Sequence, residues 1–343
     1  MTRRFCLACI VIVLSVITAR ATDTPVAPAV IRVGIIGLDT SHVTAFTKIL
    51  NDPKAQGDLA GLRVVAAFPG GSPDIESSRT RIDKFTQEIR GMNVEIVDSI
   101  PALLGKVDVV LLESVDGRPH LAQAKPVFEA GKPVFIDKPL AGSLADVIAI
   151  SELAARHKTP WFSSSSLRYD SALQALKHEP KLGDIVGCQT WGPCPLEKNH
   201  PDLFWYGIHG CEMLYTVMGT GCQTVTRVHT EGTDVVTGVW KEGRVGTFRG
   251  IRAGKADYGA IAFGSKGIVP VFGDPDGYKP LVVQIARFFK TRQPPIAAEE
   301  TIELYAFMEA ADESKRQGGA PVKLETVVAK AREEAKARLE TGK

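Results

Sequence analysis

Long apolar runs are nearly absent from this 343-residue chain, and so is any strong excess of charge. Lys and Arg total 41 against 39 Asp and Glu, a formal net charge of +2, and aromatic residues make up only 7%. No basic stretch carries interleaved aromatics, so a nucleic-acid partner is not expected. Cysteine is sparse too. Of six, Cys6 and Cys9 fall in the first 21 residues, leaving Cys188, Cys194, Cys211 and Cys222 in the second half. Their spacing matches no zinc pattern, so the sequence assigns no metal ligand; buried thiols or one or two disulfides are expected instead.

The one long apolar run, Phe5–Ile17, spans about 13 residues, short of the roughly 20 that a helix needs to cross a bilayer. Arg3 and Arg4 precede it and Ala19-Arg20-Ala21 follows, which is the pattern of a secretory signal over residues 1–21. The expectation is an exported protein, periplasmic or extracellular, with no membrane span after cleavage. Thr2-Arg3-Arg4-Phe5-Cys6-Leu7 only partly matches a twin-arginine signal, so a Sec-type signal is the better fit.

What is present is rhythm. Ile31–Ile36, Leu62–Phe68, Val94–Val97, Val107–Leu112 and Pro133–Ile136 are short apolar strands. Helix-length stretches at His42–Leu50, Ile75–Ile89, Leu121–Ala130 and Leu144–Arg156 lie between and after them. Continuous apolar strands alternating with helices predict a parallel sheet covered on both faces. After Pro160 the strands Asp184–Trp191, Thr224–Thr230, Asp234–Trp240, Val245–Ile251 and Gly259–Phe263 are joined mainly by short turns, which predicts an antiparallel sheet. A helix over Leu203–Met218 covers one face, and helices at Leu281–Lys290 and Ala298–Arg316 follow. The predicted fold class is α/β: a Rossmann-like doubly wound domain over residues 22–160 and an α+β domain with a mainly antiparallel sheet over 161–325. A peripheral helical tail occupies 326–343. The second sheet offers a face through which two copies can pair.

Candidate site residues cluster at the predicted strand ends. The first strand runs into Gly37-Leu38-Asp39-Thr40-Ser41-His42. A dinucleotide fold places glycine here so that the backbone can approach a diphosphate at the helix N-terminus. Gly37 fits the first glycine of that fingerprint, while Asp39 and His42 stand at the second and third. A carboxylate at the second place repels phosphate and a histidine at the third blocks close helix–strand packing, while Asp39 or Ser41 is expected to cap the helix. No acidic residue ends the second strand. Asp74 comes late, and Arg79 or Arg81 is a candidate for a ribose phosphate. Glu113 and Ser114 end the fourth strand, with His120 opening the next helix. Asp137-Lys138-Pro139 ends the fifth, where a lysine can hold or move a substrate proton. In the second half, His209 follows Trp205 and Tyr206 at a helix entry.

Together, Val33–Gly37, His120, Ala130–Val134 leading into Asp137-Lys138-Pro139, Leu203–Gly221 and Glu309–Ser314 within Glu299–Gly319 resemble the Gfo/Idh/MocA oxidoreductases. The resemblance implies a two-domain sugar or cyclitol oxidoreductase using NAD or NADP. It implies Lys138 and His209 as catalytic residues. It implies cofactor contacts from Gly37, Leu38, Asp39, Thr40, Ser41, His42, Glu113, Ser114, Asp137 and Pro139, and a carbohydrate-like substrate near His120, Trp205 and Tyr206. Asp137 stands where the family has glutamate, and Trp205 where it has an aspartate four residues before the histidine. Two alternatives remain open: a redox-inactive carbohydrate binder using the same cleft, and a lyase or hydrolase built on Asp39, His42, Lys138 and His209, with or without a metal.

Overall fold

The computed structural model describes residues 30–272 and 276–341; the expected signal segment, residues 1–21, lies outside them. The first half forms a six-stranded sheet from β1 (Ile31–Ile36), β2 (Leu62–Phe68), β3 (Glu95–Ile96), β4 (Val109–Leu112), β5 (Val134–Ile136) and β6 (Trp161–Ser163). Its order is β3-β2-β1-β4-β5-β6, and every pairing is parallel. All four residues of β4 and all three of β5 are buried, because both faces of the sheet are covered by helices. One face packs on α1 (His42–Leu50) and α2 (Glu76–Gly91), through Val43, Phe46, Phe85 and Ile89. The other packs on α3 (Ile100–Leu104), α4 (His120–Glu129) and α5 (Leu144–Arg156). The chain order reverses between β1 and β4, and in such sheets the strand C-termini splay apart at that point into a ligand crevice.

The second half contains α6 (Ser171–Leu176), β7 (Ile185–Pro193), α7 (Asp202–Trp205), α8 (Ile208–Met218), β8 (Cys222–Thr230), β9 (Thr233–Trp240), β10 (Val245–Ile251), β11 (Gly259–Gly264) and β12 (Ile268–Phe272). Then follow α9 (Lys279–Thr291), α10 (Ala298–Arg316), β13 (Val322–Lys323) and α11 (Leu324–Thr341). Its seven strands run β12-β11-β7-β10-β9-β8-β13. They pair antiparallel except β7 with β10, so the fold class stands with a mixed second sheet. Every residue of α8 is buried. At Gly210 the helix comes so close to β10 that an added Cβ would lie 2.1 Å from the Phe248 ring. The opposite face of the sheet exposes Val228, Val239, Val245, Ile268 and Phe272.

Several expectations need correction. The first sheet takes a sixth strand beyond Pro160; three residues ending in serine are too few to show a period. The expected helix over Leu203–Met218 breaks at Tyr206-Gly207 into α7 and α8. Helix α9 joins the first domain's core, its Leu281, Val282, Ile285, Phe288 and Phe289 packing with Val33 and Phe46. Local periodicity gives its apolar stripe but not its destination. The terminal α11 is no loose appendage: Val327, Ala331 and Ala335 are buried, and Arg338 reaches Asp146 of α5. The four cysteines are free and buried, so the thiol reading holds and the disulfide reading does not.

Arg227 of β8 is fully buried, with its Nε 2.7 Å from Asp234, Nη2 2.8 Å from Asp202, and Nη1 on Asp312. One guanidinium thus ties β8 and β9 to α7 and α10. Removing one member of a buried ionic group costs more than the group contributes, because unpaired charge stays behind. Arg227→Leu is expected to lower unfolding free energy by about 3–5 kcal/mol in chemical denaturation; a loss below about 1 kcal/mol would show that water relieves the three carboxylates.

Candidate active site

Gly37 leaves β1 with φ +89°, and a Cβ there would sit 2.4 Å from the Ser114 backbone nitrogen. Only glycine allows this crossing of the β1 and β4 ends. The Gly37 and Leu38 amides donate to the carbonyls of Phe68 and Pro69 at 2.9 and 2.7 Å, and the Leu38 side chain lies in the core. Asp39 does not cap α1. Its carboxylate, fully buried, accepts from Ser78 Oγ at 2.6 Å and from the Val115 amide at 2.9 Å. It is turned inward, and burial raises its pKa despite those bonds. Ser41 stands at the N-cap without a side-chain bond, and no acidic residue occupies the first turn. The orphan amides of the α1 terminus therefore face the crevice unblocked by carboxylate.

A cavity of about 860 Å³ opens there. It runs from Glu76, Ser77, Thr80 and Arg81 on α2, past Thr40, Ser41 and His42, to Lys138, Trp205, Tyr206, His209, Tyr258 and Tyr278. Arg81 lines it, whereas Arg79 does not. The Lys138–Pro139 peptide is cis, and just beyond it the Leu140 amide donates to the Tyr305 hydroxyl of α10 at 2.6 Å, which tethers the segment bearing Lys138. Lys138 is half-buried, with Nζ 5.4 Å from the centre of the Tyr206 ring. Burial lowers its pKa, opposed by the charges of Asp137 and Glu113.

Across the cleft, His209 Nδ1 lies 2.7 Å from Ser165 Oγ, leaving Nε2 for the cleft. Glu212, one turn further along α8, accepts from Ser164 Oγ at 2.6 Å, the Ser165 amide at 2.7 Å and Arg168 Nε at 2.7 Å. Arg168 also reaches Glu300 of α10 at 2.6 Å. This network orients His209 where Trp205 has replaced the expected aspartate. Burial, with the nearby Lys138 and His42 charges, holds the His209 imidazole well below its ordinary pKa and hence neutral.

Not every expected residue reaches the cleft. His120 is fully buried, its two ring nitrogens held by the carbonyls of Leu140 at 3.0 Å and Ser114 at 2.9 Å. It braces the two strand-end loops and cannot meet substrate. Ser114, Glu113 and Asp137 lie behind the cavity wall, each at most 1% exposed. Ser165, Tyr258 and Tyr278 were missed. The run Ser163–Ser166 after an apolar strand was a readable polar signal, whereas the tyrosines had none.

The Gfo/Idh/MocA family model, described as an oxidoreductase family with an NAD-binding Rossmann fold, matches residues 31–165. Residues 31–165, less than half of the chain, are thus similar in sequence to this family. An inositol 2-dehydrogenase from Burkholderia ambifaria is 28% identical over 160 residues, covering 45% of this chain and 42% of that protein, so the match spans less than half of the relative's length. A probable dehydrogenase from Thermotoga maritima superposes with TM-score 0.70 at 21% identity, over 87% of this chain and 100% of its own. A myo-inositol dehydrogenase from Lactobacillus casei, solved with NAD(H) and myo-inositol, gives 0.68 at 16% identity, over 86% and 96%. At these identities the superpositions establish the shared two-domain fold.

The matched family model is that of an NAD-binding Rossmann fold, and the crevice of this chain fits such a cofactor. Asp39 has turned away, the first turn of α1 carries no acidic residue, and the cavity is long enough to reach from α2 to Lys138. The neutral histidine has a measurable consequence. Native His209 refuses a proton that the unfolded chain accepts below about pH 6.5, so its contribution to stability falls as pH drops through that value and is constant above it. Relative to His209→Gln, the wild type is expected to lose up to about 1.4 kcal/mol per pH unit below pH 6.5, read by denaturant unfolding. A difference that stays flat down to pH 5 would show that the imidazole protonates in place.

Proposed function

We propose that the protein is an NAD(P)-dependent oxidoreductase of a cyclitol, sugar or related polyol, with substrate held between the two domains. The observation carrying this reading is that Lys138, from the first domain, and His209, from the second, line one cleft that also opens on the α1 N-terminus. The cofactor's phosphates would lie at Thr40 and Ser41, where helix amides and dipole favour anions. Its adenosine end would lie along Ser77, Thr80 and Arg81, and its nicotinamide end toward Lys138. NAD(P) supplies the hydride acceptor. Lys138 would hydrogen-bond and stabilise the reacting oxygen, and His209, already neutral, would accept the single proton that this hydroxyl releases as hydride leaves, returning it in the reverse direction. Trp205, Tyr206, Tyr258 and Tyr278 give the cleft aromatic faces with polar edges, which suit a ring carrying both C–H faces and hydroxyls.

Titration of NAD(H) and NADP(H) into the purified chain, followed by tryptophan fluorescence, is expected to saturate, with NAD(P) reduction appearing on addition of cyclitols. Lys138→Met and His209→Ala are each expected to lower kcat about 10²–10⁴-fold while nucleotide still binds. No nucleotide binding, combined with thermal stabilisation by glycans, would replace this reading with a carbohydrate-binding protein that has lost the reaction.

A further inference from the structure

Beneath the α1 terminus three buried titratable side chains converge from three elements. His42 is the first residue of α1, Glu113 follows β4 and Asp137 follows β5. Their potential ligand atoms all lie within 4.8 Å of one another. His42 Nδ1 is 2.6 Å from Asp137 Oδ2 and 3.9 Å from Glu113 Oε2. Glu113 is 0% and Asp137 1% exposed, yet both oxygens of Glu113 and Oδ1 of Asp137 have no hydrogen-bond partner. Buried polar atoms are nearly always paired, and an unpaired carboxylate out of water is costly. One orphan oxygen could be local strain; three on two facing carboxyls around one imidazole describe a set of donors awaiting an acceptor.

We propose that His42, Glu113 and Asp137 form a binding site for one divalent transition-metal cation of the Mn²⁺, Fe²⁺ or Zn²⁺ class. One imidazole with two carboxylates suits these ions. Calcium prefers six to eight oxygens, and thiolate-seeking ions have no cysteine here. Metal–donor distances near 2.0–2.2 Å place neighbouring donors about 3 Å apart, so the 2.6 Å His42–Asp137 contact opens slightly and Glu113 moves in. The three donors sit at the ends of rigid elements, which keeps that adjustment to side-chain rotation. His42 is the member that lines the cleft, so the ion's remaining positions open toward it, beside Lys138. The class of ligand they would take is a pair of substrate oxygens, from a vicinal diol or a hydroxy acid. This site does not rest on the dehydrogenase proposal, since a cation can bind here whether or not hydride is transferred.

The test uses chelator-treated full chain without nucleotide. Calorimetric titration with MnCl₂ and ZnCl₂ is expected to give one equivalent at micromolar or tighter affinity, and Co²⁺ to give a visible d–d absorption from a nitrogen–oxygen donor set. Glu113→Gln and Asp137→Asn, near-isosteric with the native side chains, are each expected to weaken binding at least 100-fold. Their unfolding is followed alongside, so that one folded variant suffices. Wild-type affinity no tighter than millimolar would overturn the proposal, as would equal binding by a folded variant. Failure of the wild type to bind metal while Glu113→Gln weakens NAD(H) would assign the orphan oxygens to the nucleotide's ribose hydroxyls instead, and would leave the dehydrogenase reading intact.

Discussion

Charge held at the dry ends of β4 and β5 is the constraint on which the rest of this site depends. Strands buried on both faces deliver Glu113, Asp137 and Lys138 to a place where water cannot solvate all of them. Burial and the neighbouring Asp137 charge push the Glu113 carboxyl well above its ordinary range, while His42 holds Asp137 below its own. Lys138 is drawn down by burial and up by both carboxylates. The protonation of Glu113, Asp137 and Lys138 is therefore mutually dependent, and moving one β-strand end by an ångström would change all three.

The scaffold responds by holding those strand ends from the second domain. Tyr305 of α10 accepts the Leu140 amide just beyond Lys138. His200 Nε2 lies 3.1 Å from Asp116 in the loop after β4, and Arg168 joins Glu212 beside His209 to Glu300 on α10. The same helix carries Asp312 into the Arg227 group. Helix α10 is thus the member through which both catalytic candidates are positioned, although neither lies on it. Loss of packing along α10 would shift Lys138 and His209 together, in contrast to a change at Ser165, which acts on His209 alone.

The sheet architecture was legible because its signal is periodic: apolar strands, helix-length spacers, then strands with tight turns. Lys138 and His209 were legible because a charged or titratable residue among apolar neighbours stands out. What stayed hidden is what depends on long-range return of the chain. Helix α9 gave its stripe but not the sheet it covers, and the His42–Asp137 pair joins residues 95 positions apart. Asp39 shows the limit most clearly. Sequence places a carboxylate at a phosphate-binding turn and can say only that it repels. Its actual direction is set by Ser78 and the Val115 amide, two donors that no spacing rule connects to it.

That inward turn bears on how anion and cation sites can share one helix terminus. The α1 amides attract phosphate, yet two carboxyls lie directly behind them, and in a low-dielectric wall their charge is felt over several ångströms. With both ionised and no counter-charge, they would oppose the helix dipole and weaken any phosphate bound in front. Protonating Glu113 removes one of the two charges and halves that opposition, whereas a divalent ion at His42, Glu113 and Asp137 would offset both. Linkage then requires reciprocity: whatever factor a cation contributes to nucleotide affinity, nucleotide contributes to cation affinity. The replacements of two fingerprint positions by Asp39 and His42 are thus separate in effect. Asp39 leaves the anion site usable by facing away, and His42 couples it to the charge state of the strand ends.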